Sequence, residues 1–227
     1  MCLPNAGSGA TVYRGWAGQL PSGTELLAVK YPGRQDRLAE PPIDDMERLV
    51  EQLAEALAPQ IPGPFAIFGH SVGASIGHEL ALLLENRYDR TASTLFVSAG
   101  RAPGRGRPPQ PAVVTEEALL VEIERLGGAD RAMLADPEMR ALVLPMLFAD
   151  YRLRANYTPT LAAVSCPLVA YVGDTDPDCT EAETRMWAAA TRDVFDHRVF
   201  PGDHFYLVPQ EAALLADISC RLAALNW

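Results

Sequence analysis

Short apolar runs bounded by glycine, proline or polar residues recur along this chain and read as buried strands. They are Phe65–Phe68, Thr94–Ala99, Pro167–Val172 and Val194–Phe200. Between them, apolar residues fall at helical spacing. Leu49, Val50, Leu53 and Leu57 follow Asp44 or Asp45, either of which can cap a helix running to about Ala58. Further helices are expected over Ala74–Leu84, over Thr180–Thr191 with Met186 and Trp187 turned inward, and over Gln210–Leu225. At the start, Met1–Leu3 reads as the end of a strand and Pro4–Ala10 as a glycine-rich loop. A short helix over Thr11–Leu20 follows, with Trp16 and Leu20 on one face. A strand over Glu25–Tyr31 then stops at Pro32 and Gly33. Strands alternating with helices imply an α/β fold with a parallel sheet covered on both faces.

That rhythm breaks between residues 101 and 160. Arg101–Pro111 is rich in proline and glycine and is not expected to be regular. Glu116–Leu126 reads as a helix closed by Gly127 and Gly128. Pro137 opens another at a favoured first position. Met139, Leu142, Val143, Met146 and Leu147 repeat at helical spacing there, and Pro145 should kink or split the helix. The reading is a single domain over 1–227 with a helical insertion at 101–160.

Composition narrows the possibilities. With 48% apolar residues, 227 residues suffice for one sizeable core. A net charge of −10 argues against nucleic acid and anionic membrane surfaces as partners. No run of 18 apolar residues suggests a membrane span, and the first residues lack the basic and apolar regions of a signal peptide. Four scattered cysteines without a close pair fit reduced thiols and a cytoplasmic location. The four histidines show no metal-binding spacing, so no metal is expected.

The chemistry concentrates at Gly69-His70-Ser71-Val72-Gly73, a Gly-x-Ser-x-Gly turn between a strand and a helix. That context makes it a nucleophile elbow, presenting Ser71 above the sheet edge. A serine hydroxyl needs a base, and the base needs a carboxylate to orient it. In this architecture the order along the chain is serine, carboxylate, histidine. His197 falls inside a strand, whereas His204 follows the last strand in a loop where a base belongs. Asp174, Asp176 and Asp178 all follow the strand that ends at Val172. Asp178 fits a helix cap and Asp174 fits a self-bonded turn, which leaves Asp176, held before Pro177, as the preferred partner. An oxyanion needs two N–H donors. Val72 supplies one, and the loop after the first strand supplies the other, with Ala6 the leading candidate.

At this point the chain resembles the type II thioesterases that accompany polyketide synthases and nonribosomal peptide synthetases, within the α/β-hydrolase fold. The resemblance rests on Leu3–Gly7, Tyr31–Arg34 with Arg37 and Glu40–Pro42, the elbow, Leu144–Leu147 with Ala149–Arg152, Gly173–Pro177, Trp187 and Gly202–Phe205. It implies Ser71, Asp176 and His204 as catalytic residues, Ala6 and Val72 as oxyanion donors, and the 101–160 insertion as a lid. It also implies hydrolysis of acyl groups from the phosphopantetheine thiol of acyl or peptidyl carrier proteins. The carrier brings that arm, so the enzyme needs no cofactor of its own. The family usually has histidine where Asn5 stands, and more residues before the first motif; the early start suggests a trimmed or late-beginning chain. An excised chain-terminating thioesterase domain and a general carboxylesterase are the alternatives. Arg101, Arg105 and Arg107, or Arg34 and Arg37, are expected to offer an acidic carrier a positive patch.

Overall fold

The computed structural model describes residues 1–105, 115–125 and 136–224. Five parallel strands form one sheet in sequence order: β1 (Cys2–Leu3), β2 (Ala66–His70), β3 (Thr94–Ser98), β4 (Leu168–Gly173) and β5 (Phe195–Phe200). Phe68 pairs with Phe96 and Phe96 with Val169, so one row of side chains runs across the central strands.

Successive strand residues face opposite sides, and both sides are apolar because helices cover both. Ile67, Leu95, Val97, Leu168 and Ala170 point into a core shared with α1 (Met46–Leu57) and α2 (Val72–Tyr88). Phe68, Phe96, Val169 and Tyr171 point the other way. There they meet Tyr13, Trp16 and the helix α6 (Glu211–Ala224), through Leu214, Leu215 and Ile218. Leu95 and Phe96 are almost fully enclosed. Burial of each such side chain contributes about 1.5–3 kcal/mol. Asp45 caps α1, its carboxylate accepting the Arg48 N–H at 2.8 Å.

Between β3 and β4 the described chain carries two helices, α3 (Glu116–Arg125) and α4 (Pro137–Asn156). Pro145 neither splits α4 nor ends it. The expected stop at Gly127 and Gly128 lies outside the described residues. Met146 and Leu147 are buried in a small cluster with Leu119, Ile123 and Tyr151, whereas Met139 and Leu142 are exposed.

Three expectations fail. Thr11–Leu20 forms two short 3-10 turns, Ala10–Tyr13 and Ala17–Gln19, rather than an α-helix. Gly15 and Gly18 supply no helix-favouring side chain there. Glu25–Tyr31 makes a single parallel bridge, Cys2 with Ala28, instead of a strand. Its partner β1 is two residues long, and Pro4 has no N–H with which to extend the ladder. The helix after β4 is only α5 (Glu181–Arg185), which tightens into a 3-10 turn over Met186–Ala190. Trp187 stays fully buried, but Met186 turns outward.

Candidate active site

The elbow is built by close approach. An added Cβ on Gly69 would lie 2.0 Å from the carbonyl oxygen of Gly73, and one on Gly73 would lie 2.3 Å from that of Leu3. Strand, turn and helix therefore meet where side chains have no room. Ser71 stands between them in the left-handed region, at φ 57°, as the N-cap of α2. Its N–H donates to Ser98 O at 2.7 Å, tying the turn to β3. Val72 is the first residue of α2, so its N–H has no acceptor within the helix.

The loops after β4 and β5 supply the next two groups. Gly173 lets them touch, since a Cβ there would come within 2.3 Å of the carbonyl oxygens of Gly202 and Asp203. His204 Nε2 lies 2.9 Å from Ser71 Oγ. His204 Nδ1 lies 2.9 Å from Asp176 Oδ2. A carboxylate only accepts, so Nδ1 carries the proton and Nε2 is left to accept from the serine. Asp176 Oδ1 accepts two further N–H groups, from Asp178 at 2.7 Å and Cys179 at 3.1 Å. His204 and Asp176 are both buried. The arrangement can take a proton from Ser71 and hold the resulting imidazolium against a fixed carboxylate.

The other candidates separate cleanly. Asp174 does not bond its own turn; its Oδ1 accepts the Gly202 N–H at 2.9 Å and so braces the histidine loop. Asp178 is not the helix cap. Thr180 and Glu183 cap α5 reciprocally, while the Asp178 carboxylate holds Arg101 at 3.0 Å, Arg125 at 3.1 Å and Arg154 at 2.5 Å. His197 is a half-exposed strand residue, its Nε2 3.3 Å from Glu181 Oε1. Asn5 is buried and donates to Ala6 O at 3.0 Å, which helps shape the loop carrying Ala6.

Among the described residues, most of the arginines expected to form a positive patch are paired with carboxylates. Arg34 is buried against Asp150, and Arg101 is held by Asp178. Arg37 pairs with Glu40 at 2.6 Å. Arg105 is exposed, and Arg107 lies outside the described residues.

Several residues here were not singled out in advance. His70 is fully buried beside His204, with ring centroids 5.3 Å apart. Its Nδ1 lies 2.9 Å from Ser98 Oγ, which in turn lies 2.7 Å from the Tyr206 hydroxyl. Burial and the nearby charge of His204 push its pKa well below the usual histidine range, so His70 is neutral. Asp150 had a readable signal. It sits three and four residues after the buried Leu147 and Met146 and three before the buried Leu153, a charge on the apolar stripe of its helix.

A parallel sheet with a strand–Ser71–helix turn and a histidine and aspartate on later strand ends is the α/β-hydrolase architecture. The thioesterase domain model matches residues 1–222, and the chain belongs to that family, whose reaction is hydrolysis of a thioester. It is 39% identical to Thioesterase PikA5 of Streptomyces venezuelae, over 98% of this chain and 80% of that protein. It is 34% identical to the Gramicidin S biosynthesis protein GrsT of Aneurinibacillus migulanus, over 97% and 86% of the two. Among solved structures, the type II thioesterase BorB from the borrelidin biosynthetic cluster superposes with a TM-score of 0.86 at 38% identity, covering 96% of this chain and 89% of that one. ClbQ from the colibactin NRPS/PKS pathway gives a TM-score of 0.92 at 26% identity, covering 99% and 96%. Among the described residues no helix is long and apolar enough to cross a membrane.

Proposed function

We propose that this thioesterase removes acyl groups from the phosphopantetheine thiol of acyl or peptidyl carrier proteins, releasing the free acid. The observation that carries the reading is the chain of two 2.9 Å contacts from Ser71 through His204 to Asp176. The likeness to BorB, a type II thioesterase of a biosynthetic cluster, supports the substrate class and an editing role.

In this reading Ser71 Oγ attacks the thioester carbonyl carbon as His204 Nε2 takes its proton. The oxyanion accepts from the N–H groups of Ala6 and Val72, the second lying at the N-terminus of α2. Collapse breaks the C–S bond, and His204 returns its proton to the departing thiol. Water then attacks the acyl-serine, giving up a proton to His204. A second collapse frees the acid and restores the Ser71 hydroxyl. Helices α3 and α4 serve as the lid, and no cofactor takes part.

Ser71→Ala tests the assignment. The variant should stay folded, lose turnover of acyl thioesters and no longer react with a fluorophosphonate that labels the wild type at Ser71. Near wild-type turnover by the variant would remove Ser71 from the nucleophile's role.

A further inference from the structure

The mechanism leaves one buried ion pair without a role. Arg34 and Asp150 are 4% and 6% exposed and meet through two contacts, at 3.0 and 2.8 Å. Removing two charges from water is unfavourable, and apolar residues often replace such pairs without loss of stability. Stability alone is therefore a poor account of this one.

What the pair touches is more telling. Asp150 Oδ2 accepts the N–H of Gly7 at 2.8 Å, and Arg34 Nη1 donates to Ser8 O at 2.9 Å. The two charges thus grip the Ala6–Gly7 and Ser8–Gly9 peptide units, on either side of the Gly7–Ser8 unit. Gly7 has φ +75°, and an added Cβ would lie 2.5 Å from Leu147 Cδ2, one turn before Asp150 on α4. Arg34 also stacks over Tyr31, 5.0 Å from the ring centroid, and the Tyr31 hydroxyl donates to Pro4 O at 3.4 Å. The loop is held from both ends, and its grip on one side comes from α4.

We infer that Arg34 and Asp150 are positioning residues for the oxyanion hole. They fix the backbone of residues 6–8 so that the Ala6 N–H meets the developing oxyanion, and they make that hole depend on α4 being docked. Asp150 fixes the Ala6–Gly7 peptide plane through its N–H. Arg34 fixes the Ser8–Gly9 plane, two peptides on, through its carbonyl oxygen and holds Asp150 in register. The inference rests on the acyl-transfer mechanism above, since it assigns a task within it.

The test uses Asp150→Ala, Arg34→Lys and the double variant Arg34→Met/Asp150→Leu, which removes both charges at similar volume. Each is assayed on an N-acetylcysteamine thioester and a p-nitrophenyl ester of the same acyl group, with active sites counted by fluorophosphonate titration. Deleting a whole oxyanion donor typically lowers kcat about 10²–10³-fold, so a displaced donor should lower it about 10- to 100-fold. KM should stay within about twofold. Affinity for a trifluoromethyl ketone, which forms the tetrahedral adduct, should fall in step with kcat/KM. Arg34→Lys keeps the charge and should recover part of the loss. A structural role alone would reduce the number of titratable sites or the melting temperature, and leave kcat per site unchanged. Wild-type kcat per site in a folded Asp150→Ala or double variant would overturn the inference. If wild-type enzyme hydrolyses the oxygen ester but not the thioester, the thioesterase reading fails instead, and the ester series still decides the role of the pair.

Discussion

Asp178 fixes the Asp176 carboxylate with its backbone while its side chain gathers three arginines of the described residues. Its N–H donates to Asp176 Oδ1 at 2.7 Å, and its carboxylate meets Arg101, Arg125 and Arg154. Arg125 belongs to α3 and Arg154 to α4. The loop that carries Asp176 is thereby tied to the helical insertion.

Asp178→Ala should lower both melting temperature and kcat, because it leaves clustered, partly buried arginine charge uncompensated beside that loop. Burial opposes the Asp178 charge, but Arg154 and Arg101 outweigh it and hold the carboxyl below the usual range. A depressed carboxyl stabilises the fold above the unfolded value of about 3.9 and loses that contribution as pH falls further. The melting-temperature gap between wild type and variant should therefore narrow below that pH. A gap that stays constant or widens on acidification would refute the linkage.

Asp176→Asn should cost far more activity than Asp174→Asn. An amide at 176 favours the wrong His204 tautomer and cannot stabilise the imidazolium, a loss on the order of 10⁴ in kcat. An asparagine at 174 still offers an oxygen to the Gly202 N–H. Steady-state rates of the two variants check the ranking, and its reversal would move the carboxylate role to Asp174.

His70 predicts an acid-side loss of stability. Its folded pKa is depressed by burial and by His204, so the unfolded chain binds a proton that the native chain refuses. Stability should fall as pH drops below about 6.5, by up to about 1.4 kcal/mol per pH unit for one such proton. His78, also depressed by burial, adds with the same sign. Denaturant titrations at several pH values should show a shallower slope for His70→Gln, and an unchanged slope would contradict the assignment.

Arg101 and Arg105 should behave differently although both lie in the chain leaving β3. Arg105→Ala should raise KM for an acylated carrier protein by at most roughly fivefold, the range of one exposed contact, and less at high salt. It should leave a small acyl thioester unaffected. Arg101→Ala should impair both substrates, because Arg101 braces Asp178. Equal effects of Arg105→Ala on both substrates would exclude it from carrier docking.

Much of this was legible in the sequence because local rules agree with the fold. Four strands, a cap at Asp44 or Asp45 and the elbow all follow from spacing and turn chemistry. Ser71 and His204 could be placed from their order, since strand ends converge in a parallel sheet, whereas Asp176 was preferred over Asp174 and Asp178 on turn and cap roles that the structure does not give those two. The bridge at Ala28 could not, because it depends on how short its partner is. Asp178 read as a cap until α3 and α4 brought their arginines to it. Arg34 read as part of a positive patch, since its partner lies 116 positions away and only packing brings them together. Long-range polar contacts of this kind leave no periodic trace, beyond a charge standing where a helix should be apolar.

The most direct test of the central claim is intact-protein mass spectrometry of carrier proteins loaded with different acyl groups, before and after incubation with the enzyme. The account predicts that the acyl mass disappears, that the phosphopantetheine arm remains on the carrier, that free acid accumulates and that Ser71→Ala leaves every carrier loaded. Carriers that stay acylated under wild-type enzyme still able to hydrolyse a simple ester, or release of a cyclic product in place of the acid, would contradict it.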